Sequence, residues 1–174
     1  IKDVILDAGI KYRIDKILET KELQNLMIVG KSGIGKSTTI KLLLKYIYNE
    51  HIDDCIFVLN SNNGSIKTLY NTILTFCKTK VYDEHGNMYP YKVILIEDGD
   101  ILYKKNQPYI TEILELDSST VRLIVICNTT YNIIKSIQSR MLILRILDYD
   151  EKDILNRLKY ILKNENVKYT IEGI

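Results

Sequence analysis

Gly30-Lys31-Ser32-Gly33-Ile34-Gly35-Lys36-Ser37 sets a G-x-x-x-x-G-K-S pattern between two segments of opposite character. Before it stands a short apolar run, Leu26-Met27-Ile28-Val29, which reads as a buried strand. After it, Ser37-Thr38-Thr39-Ile40-Lys41-Leu42-Leu43-Leu44 reads as the start of a helix. Strand, glycine-rich turn and helix in that order make an anion cradle rather than an ordinary turn. Glycines let successive backbone N–H groups curl around a phosphate with no Cβ in the way. The positive end of the following helix faces the same charge. In such a loop Lys36 reaches the β- and γ-phosphates of a nucleotide from an open site, and the Ser37 hydroxyl ligates Mg²⁺. Residues 30–38, Thr38 included, are therefore the expected nucleotide-binding segment, with ATP and Mg²⁺ as its occupants.

The remaining chain repeats the same alternation. Ile14, Ile17 and Leu18 give a helical spacing over 12–20. The helix after the phosphate loop is expected to run to about Tyr48, followed by a second strand, Cys55-Ile56-Phe57-Val58-Leu59. Asn60-Ser61-Asn62-Asn63-Gly64 is a loop of turn-favouring residues. Ile66, Leu69, Ile73 and Phe76 mark one face of a helix ending near Lys78. Segment 81–90 reads as a polar surface loop. Val93-Ile94-Leu95-Ile96 is a third strand, 121–127 a fourth and 141–146 a fifth. Ile154, Leu155, Leu158, Ile161 and Leu162 then return to helical spacing. Continuous apolar strands alternating with helices predict a five-stranded parallel α/β sheet covered on both faces. The alternation stops near Leu147-Asp148, so residues 1–147 are expected to form one nucleotide-binding domain and 148–174 the start of a second, helical one.

Other functions are disfavoured. No apolar run reaches the ~20 residues that cross a bilayer. Cys55, Cys77 and Cys127 are widely spaced in apolar surroundings and read as reduced core residues of an intracellular protein. His51 and His85 have no Cys or His at metal-ligand spacing, which argues against zinc. A net charge of +2 neither demands nor excludes nucleic acid. The abundance of Ile, Lys, Asn and Tyr, with a single Ala at Ala8, suggests an AT-rich genome. A chain opening on Ile1 reads as a fragment.

Three strand ends carry the remaining candidates. Glu97-Asp98 follows the third strand; in phosphate-loop enzymes one such carboxylate holds Mg²⁺ and the other polarises the attacking water. We expect Glu97, with Ser37, on the metal side and Asp98 on the water. Asp100 could share that work, but the stronger expectation is that it caps a helix beginning at Ile101. An amide at Asn128 could hydrogen-bond the γ-phosphate or the attacking water, but by its residues alone it reads as opening a turn before Thr129-Thr130; Arg140 reads as a surface charge at the start of a strand, catalytic only in a multi-subunit arrangement.

Taken together, these segments resemble the AAA+ ATPase core of clamp-loader small subunits, the replication factor C family. Cys127-Asn128-Thr129-Thr130-Tyr131-Asn132-Ile133-Ile134-Lys135-Ser136-Ile137-Gln138-Ser139-Arg140-Met141 is similar to the family's stretch from sensor 1 to its Ser-Arg-Cys motif. Phe57-Val58-Leu59-Asn60-Ser61 resembles the strand that the family ends in Leu-Asn-Ala-Ser. Asp153-Ile154-Leu155-Asn156-Arg157-Leu158-Lys159-Tyr160-Ile161 looks like the first lid helix, and Tyr169-Thr170-Ile171-Glu172-Gly173-Ile174 like the start of the next. The resemblance implies that Asn128 is sensor 1 and that Arg140 is an arginine finger acting in trans on a neighbour's ATP. It implies other clamp-loader subunits, a sliding clamp and primer-template DNA as partners, no membrane, and a nuclear or viral replication compartment. The departures are specific. The family's Asp-Glu is Glu97-Asp98 here, Ser-Arg-Cys is Ser139-Arg140-Met141, and a DNA-contacting Arg position is Tyr70. Lys67, Lys78 and Lys80 read as a solvated face. The swapped carboxylates keep open a second reading, a non-hydrolysing structural subunit that binds nucleotide and donates Arg140. Another AAA+ remodeller is a third.

Overall fold

In a computed structural model the described residues are 7–60, 66–101, 106–116, 120–165, 167 and 170. The expected loop over 61–64 and, apart from Thr170, the lid segment over 169–174 lie outside them. Helix α1 (Ala8–Thr20) leads into β1 (Leu26–Val29), the glycine loop and α2 (Lys36–Tyr48). A 3₁₀ turn over Asn49–His51 and a short α3 (Ile52–Cys55) precede β2 (Ile56–Leu59). Then follow α4 (Ile66–Lys78), β3 (Lys92–Ile96), a 3₁₀ turn over Gly99–Ile101, α5 (Gln107–Leu116), β4 (Val121–Cys127), α6 (Lys135–Gln138), β5 (Leu142–Arg145) and α7 (Glu151–Asn164).

The strands form one sheet in the order β2-β3-β4-β1-β5, and every pairing is parallel. Alternation along each strand explains the continuous apolar runs. Leu26 and Ile28 of β1 pack with Val93, Leu95, Ile124 and Ile126 against α1 and α2, through Ile14, Ile17, Ile40, Leu43 and Leu44. Met27 and Val29 face the other way and pack with Ile94, Ile96, Leu123 and Val125 against Ile66 and Ile73 of α4, Ile110 and Ile113 of α5, and Ile137 of α6. Each buried Leu or Ile contributes about 1.5–3 kcal/mol, so both faces of the sheet are held by hydrophobic burial. On α2 the buried positions Thr39, Ile40, Leu43, Leu44 and Ile47 recur at helical spacing.

Local departures from expectation have local causes. Cys55 does not open the second strand: it closes α3, fully buried, and the strand starts at Ile56. A short apolar run cannot by itself separate a buried helical turn from a strand. Segment 81–90 is a surface loop as expected, with the added feature that it folds back on itself. Tyr82 and Met88 form an antiparallel bridge, Asp83 accepts from the backbone N–H of His85 (2.9 Å) and Asn87 (2.8 Å), and Tyr89 packs against the core. Tyr70 is half-buried, its ring 5.3 Å from that of Tyr109. Helix α7 keeps the expected spacing, but none of its residues is buried.

Candidate active site

Because all five strands run in one direction, the ends of β1, β3 and β4 open on the same edge of the sheet. Register completes the placement. Val29 pairs with Cys127 and Ile96 with Val125. The residues that follow (Gly30, Asn128, and Glu97 with Asp98) are thereby brought together, at the carboxyl ends where open parallel sheets hold ligands. There a cavity of about 270 Å³ is lined by Ser32, Gly33, Gly35, Lys36, Ser37, Thr38, Asp98, Asp100, Ile126 and Asn128.

Backbone conformation shapes the loop. Gly33 (φ 80°) and Gly35 (φ 85°) adopt left-handed conformations that favour glycine. Gly30 is required by contact instead: a Cβ there would lie 2.8 Å from the Ile146 carbonyl oxygen. Gly35 caps α2, so the helix begins at Lys36 and its unpaired N–H groups face the cavity.

Lys36 is not held in the open. It is 8% exposed, and its ammonium donates to the carbonyls of Gly30 (2.8 Å) and Lys31 (2.7 Å) and to Asn128 Oδ1 (2.8 Å). Those bonds use all three of its donors. Burial pushes its pKa below the usual lysine value, while Asp100, Cys127 and Asp98 pull the other way. Asn128, a plain turn residue by sequence physics, is thus in direct contact with the loop lysine.

The acidic residues separate. Asp98 is exposed, sits at φ 56° and lines the cavity. Glu97 is half-buried and absent from the lining. Its Oε1 lies 2.8 Å from Nζ of Lys41, one turn along α2 from Ser37, as an ion pair off the axis of a hydrogen bond. Asp100 does not cap a helix at Ile101. It lies in the 3₁₀ turn, and its carboxylate accepts from the backbone N–H groups of Asn128 (2.6 Å) and Thr129 (2.9 Å). Among the described residues the next α-helix begins at Gln107. Arg140 is outside the cavity, half-exposed, and bonded to the Ser136 carbonyl (3.1 Å) and to Glu115 (2.8 Å).

Two loop residues point elsewhere. Ile34 is core, and its carbonyl accepts from the Tyr149 hydroxyl at 2.5 Å. Lys31 is exposed and ion-paired to Asp148. Residues 148 and 149, together with Ile146 against Gly30, therefore clasp the back of the loop. That clasp, the Lys41–Glu97 pair and the role of Asp100 escaped the sequence. Only Lys41 left a signal there, by its i+4 spacing from Ser37.

No family model matches the chain. A replication factor C small subunit of Sulfolobus acidocaldarius is 30% identical over 175 residues, a match covering 100% of this chain and 53% of that protein. This chain is a homologue of replication factor C small subunits. The small subunit of Methanothermobacter thermautotrophicus is likewise 30% identical over 100% of the chain and 53% of its own length. Replication factor C subunit 4 of Saccharomyces cerevisiae is 29% identical with the same coverage. The chain thus spans about half the length of the curated relatives it matches. Among solved structures, a DNA polymerase III gamma-subunit-related protein of Thermotoga maritima aligns with a TM-score of 0.63 at 14% identity, over 90% of this chain and 52% of the other. The ORC1 protein of Aeropyrum pernix, in complex with DNA, aligns with a TM-score of 0.66 at 14% identity, over 93% and 50%. At that identity they speak for the fold alone, a parallel sheet flanked by helices with the phosphate loop after its first strand. Among the described residues, no helix is long and apolar enough to cross a membrane.

Proposed function

We propose that the chain is the ATP-binding and ATP-hydrolysing core of a clamp-loader subunit acting in DNA replication. The observation that carries this reading is the contact between Lys36 Nζ and Asn128 Oδ1 inside a glycine-lined cavity that also holds Asp98 and Asp100. The donor set fits a nucleoside triphosphate with Mg²⁺. Loop N–H groups, the start of α2 and the Lys36 ammonium would hold the phosphates, with the Ser37 hydroxyl and a neighbouring carboxylate on the metal. Bound Mg²⁺ would neutralise charge on the phosphoryl oxygens. The chain's own part is orientation. Asp98, at the cavity wall, is suited to accept a proton from water, and Asn128 to donate its amide to the outermost phosphate. Because Arg140 projects away from its own cavity, its role under this reading is on a neighbouring subunit's nucleotide. Residues 148–174 would begin the lid, with the exposed face of α7 awaiting the rest of that domain. Other loader subunits, a sliding clamp and primer-template DNA are the corresponding partners.

One observation favours a second reading, a nucleotide-binding subunit that does not hydrolyse. Glu97, at the position where the family has its metal-side Asp, is engaged by Lys41. Single-turnover hydrolysis by the full-length protein separates the two, measured alone and with partner subunits, clamp and primed DNA. Turnover that appears only on assembly supports the first reading. Tight binding with no turnover in the full assembly supports the second.

A further inference from the structure

Asp100 is tied to the end of β4 by more than one bond. Its carboxylate accepts from Asn128 N (2.6 Å), Thr129 N (2.9 Å) and the Thr129 hydroxyl (3.4 Å). Its own carbonyl accepts from Asn132 Nδ2 at 3.1 Å. The close approach has a steric condition one residue earlier. A Cβ on Gly99 would lie 2.6 Å from Val125 Cγ1 and 3.2 Å from the Ile126 carbonyl oxygen. Only glycine lets the turn after β3 lie flat against β4. The pair Gly99-Asp100 therefore docks one strand end onto another, through charge-assisted bonds to backbone donors that β4 no longer pairs.

The docked residue is the one that meets Lys36. Asn128 takes the carboxylate through its N–H and the Lys36 ammonium through its side-chain oxygen. A phosphate that captures Lys36 must displace one of the lysine's three acceptors, and Asn128 is the only side chain among them. From this geometry we infer that Asp100 is a positioning residue: it fixes Asn128 beside Lys36, where the side-chain amide released from the lysine can donate to the outermost phosphate, and so sets how strongly the site prefers a nucleoside triphosphate over a diphosphate. The inference rests on the nucleotide-site reading above. The negative charge of Asp100 also faces the Lys36 ammonium and favours its protonated form, as do Asp98 and Cys127.

The test uses the full-length protein and fluorescent analogues of ATP and ADP, with Mg²⁺, in a double-mutant cycle. Asn128→Ala is expected to reduce the ATP-over-ADP preference by about tenfold to a hundredfold, the range for losing a hydrogen bond to a charged group. Asp100→Ala should reduce it by a similar factor, and the double variant should lose no more than Asn128→Ala alone, because the two residues act through one contact. Asp100→Asn, which keeps an acceptor oxygen, should recover part of the preference and serves where the alanine variant fails to fold. The ¹⁵N side-chain amide signal of Asn128 should shift in either Asp100 variant without added nucleotide. Multiplicative losses in the double variant overturn the inference, as does an unchanged preference in Asp100→Ala and Asp100→Asn. Lys36→Met is the control: if it binds both analogues as the wild type does, the nucleotide-site reading itself fails.

Discussion

Replacing Lys36 with Met keeps most of the buried stem and removes the ammonium, which isolates the charge. In the folded chain that ammonium makes three hydrogen bonds, to Gly30 O, Lys31 O and Asn128 Oδ1, with the residue only 8% exposed. Each bond to a charged group is worth about 1.5–3 kcal/mol, but burying an ion costs several kcal/mol, so the two effects largely offset. Stability without nucleotide should change by no more than about 1–2 kcal/mol. Binding is different, because phosphate loses a buried charged partner. The expected loss is about 2–5 kcal/mol, or about 30- to 4,000-fold in Kd. Thermal unfolding reads both quantities. ATP at a hundred times its Kd stabilises the wild type by about 2.7 kcal/mol, which raises Tm by about 5–11 °C for a chain of this size. In Lys36→Met at the same ATP concentration the stabilisation should fall to about 0.9 kcal/mol or less, and the shift to about 3 °C or less. An equal ATP-dependent shift in both proteins refutes the assignment of the loop, and a collapse of the nucleotide-free melt refutes the offset argued for its stability.

Asp98→Asn should preserve ATP affinity and abolish single-turnover hydrolysis in the assembled complex. Glu97→Gln should weaken the Mg²⁺ dependence of binding, measured by titration of the metal; no change there would leave Asp98 and Asp100 as the metal-facing carboxylates. Arg140→Ala should leave the subunit's own ATP affinity unchanged and shift its stability by less than about 1 kcal/mol, since the Glu115 pair is exposed. It should slow hydrolysis in the adjacent subunit by about 10³–10⁵, and a mixing experiment in which only the mutant's own site suffers contradicts the trans role. Burial holds Lys92 below the ordinary lysine value of 10.5. The unfolded chain therefore binds that proton more tightly, and stability rises with pH between the depressed folded value and 10.5. Denaturant melts of Lys92→Met should lack this rise, so the wild type gains on it across the window; a constant difference contradicts the sign.

The glycine loop was legible because its chemistry is local. Strand, turn and helix are contiguous, and the buried runs over 26–29, 93–96 and 121–127 needed no long-range information. The sheet order was harder: alternation predicts a parallel sheet but not that β1 lies between β4 and β5. What failed depended on tertiary neighbours. Asp100 looks like a cap because acidic residues often are, and nothing near it in sequence announces the orphan N–H groups at the end of β4. Lys41 stands on an exposed helix face, where the sequence alone reads a solvated charge rather than a partner for Glu97. Asp148 and Tyr149 meet Lys31 and Ile34 only because β5 pairs alongside β1. Asn128 reads as a turn residue until register sets it beside the loop. Only the family resemblance put its functional role ahead of the turn reading in advance.

The most direct measurement of the central claim is a crystal structure of the full-length protein with a non-hydrolysable ATP analogue and Mg²⁺. The triphosphate is expected in the cavity between Gly33 and Asn128, with the Lys36 ammonium turned from Asn128 to the phosphates, the metal at Ser37, and Arg140 pointing away toward a neighbour. A nucleotide bound elsewhere, or Lys36 still donating to Gly30, Lys31 and Asn128 with the phosphates outside its reach, would contradict it.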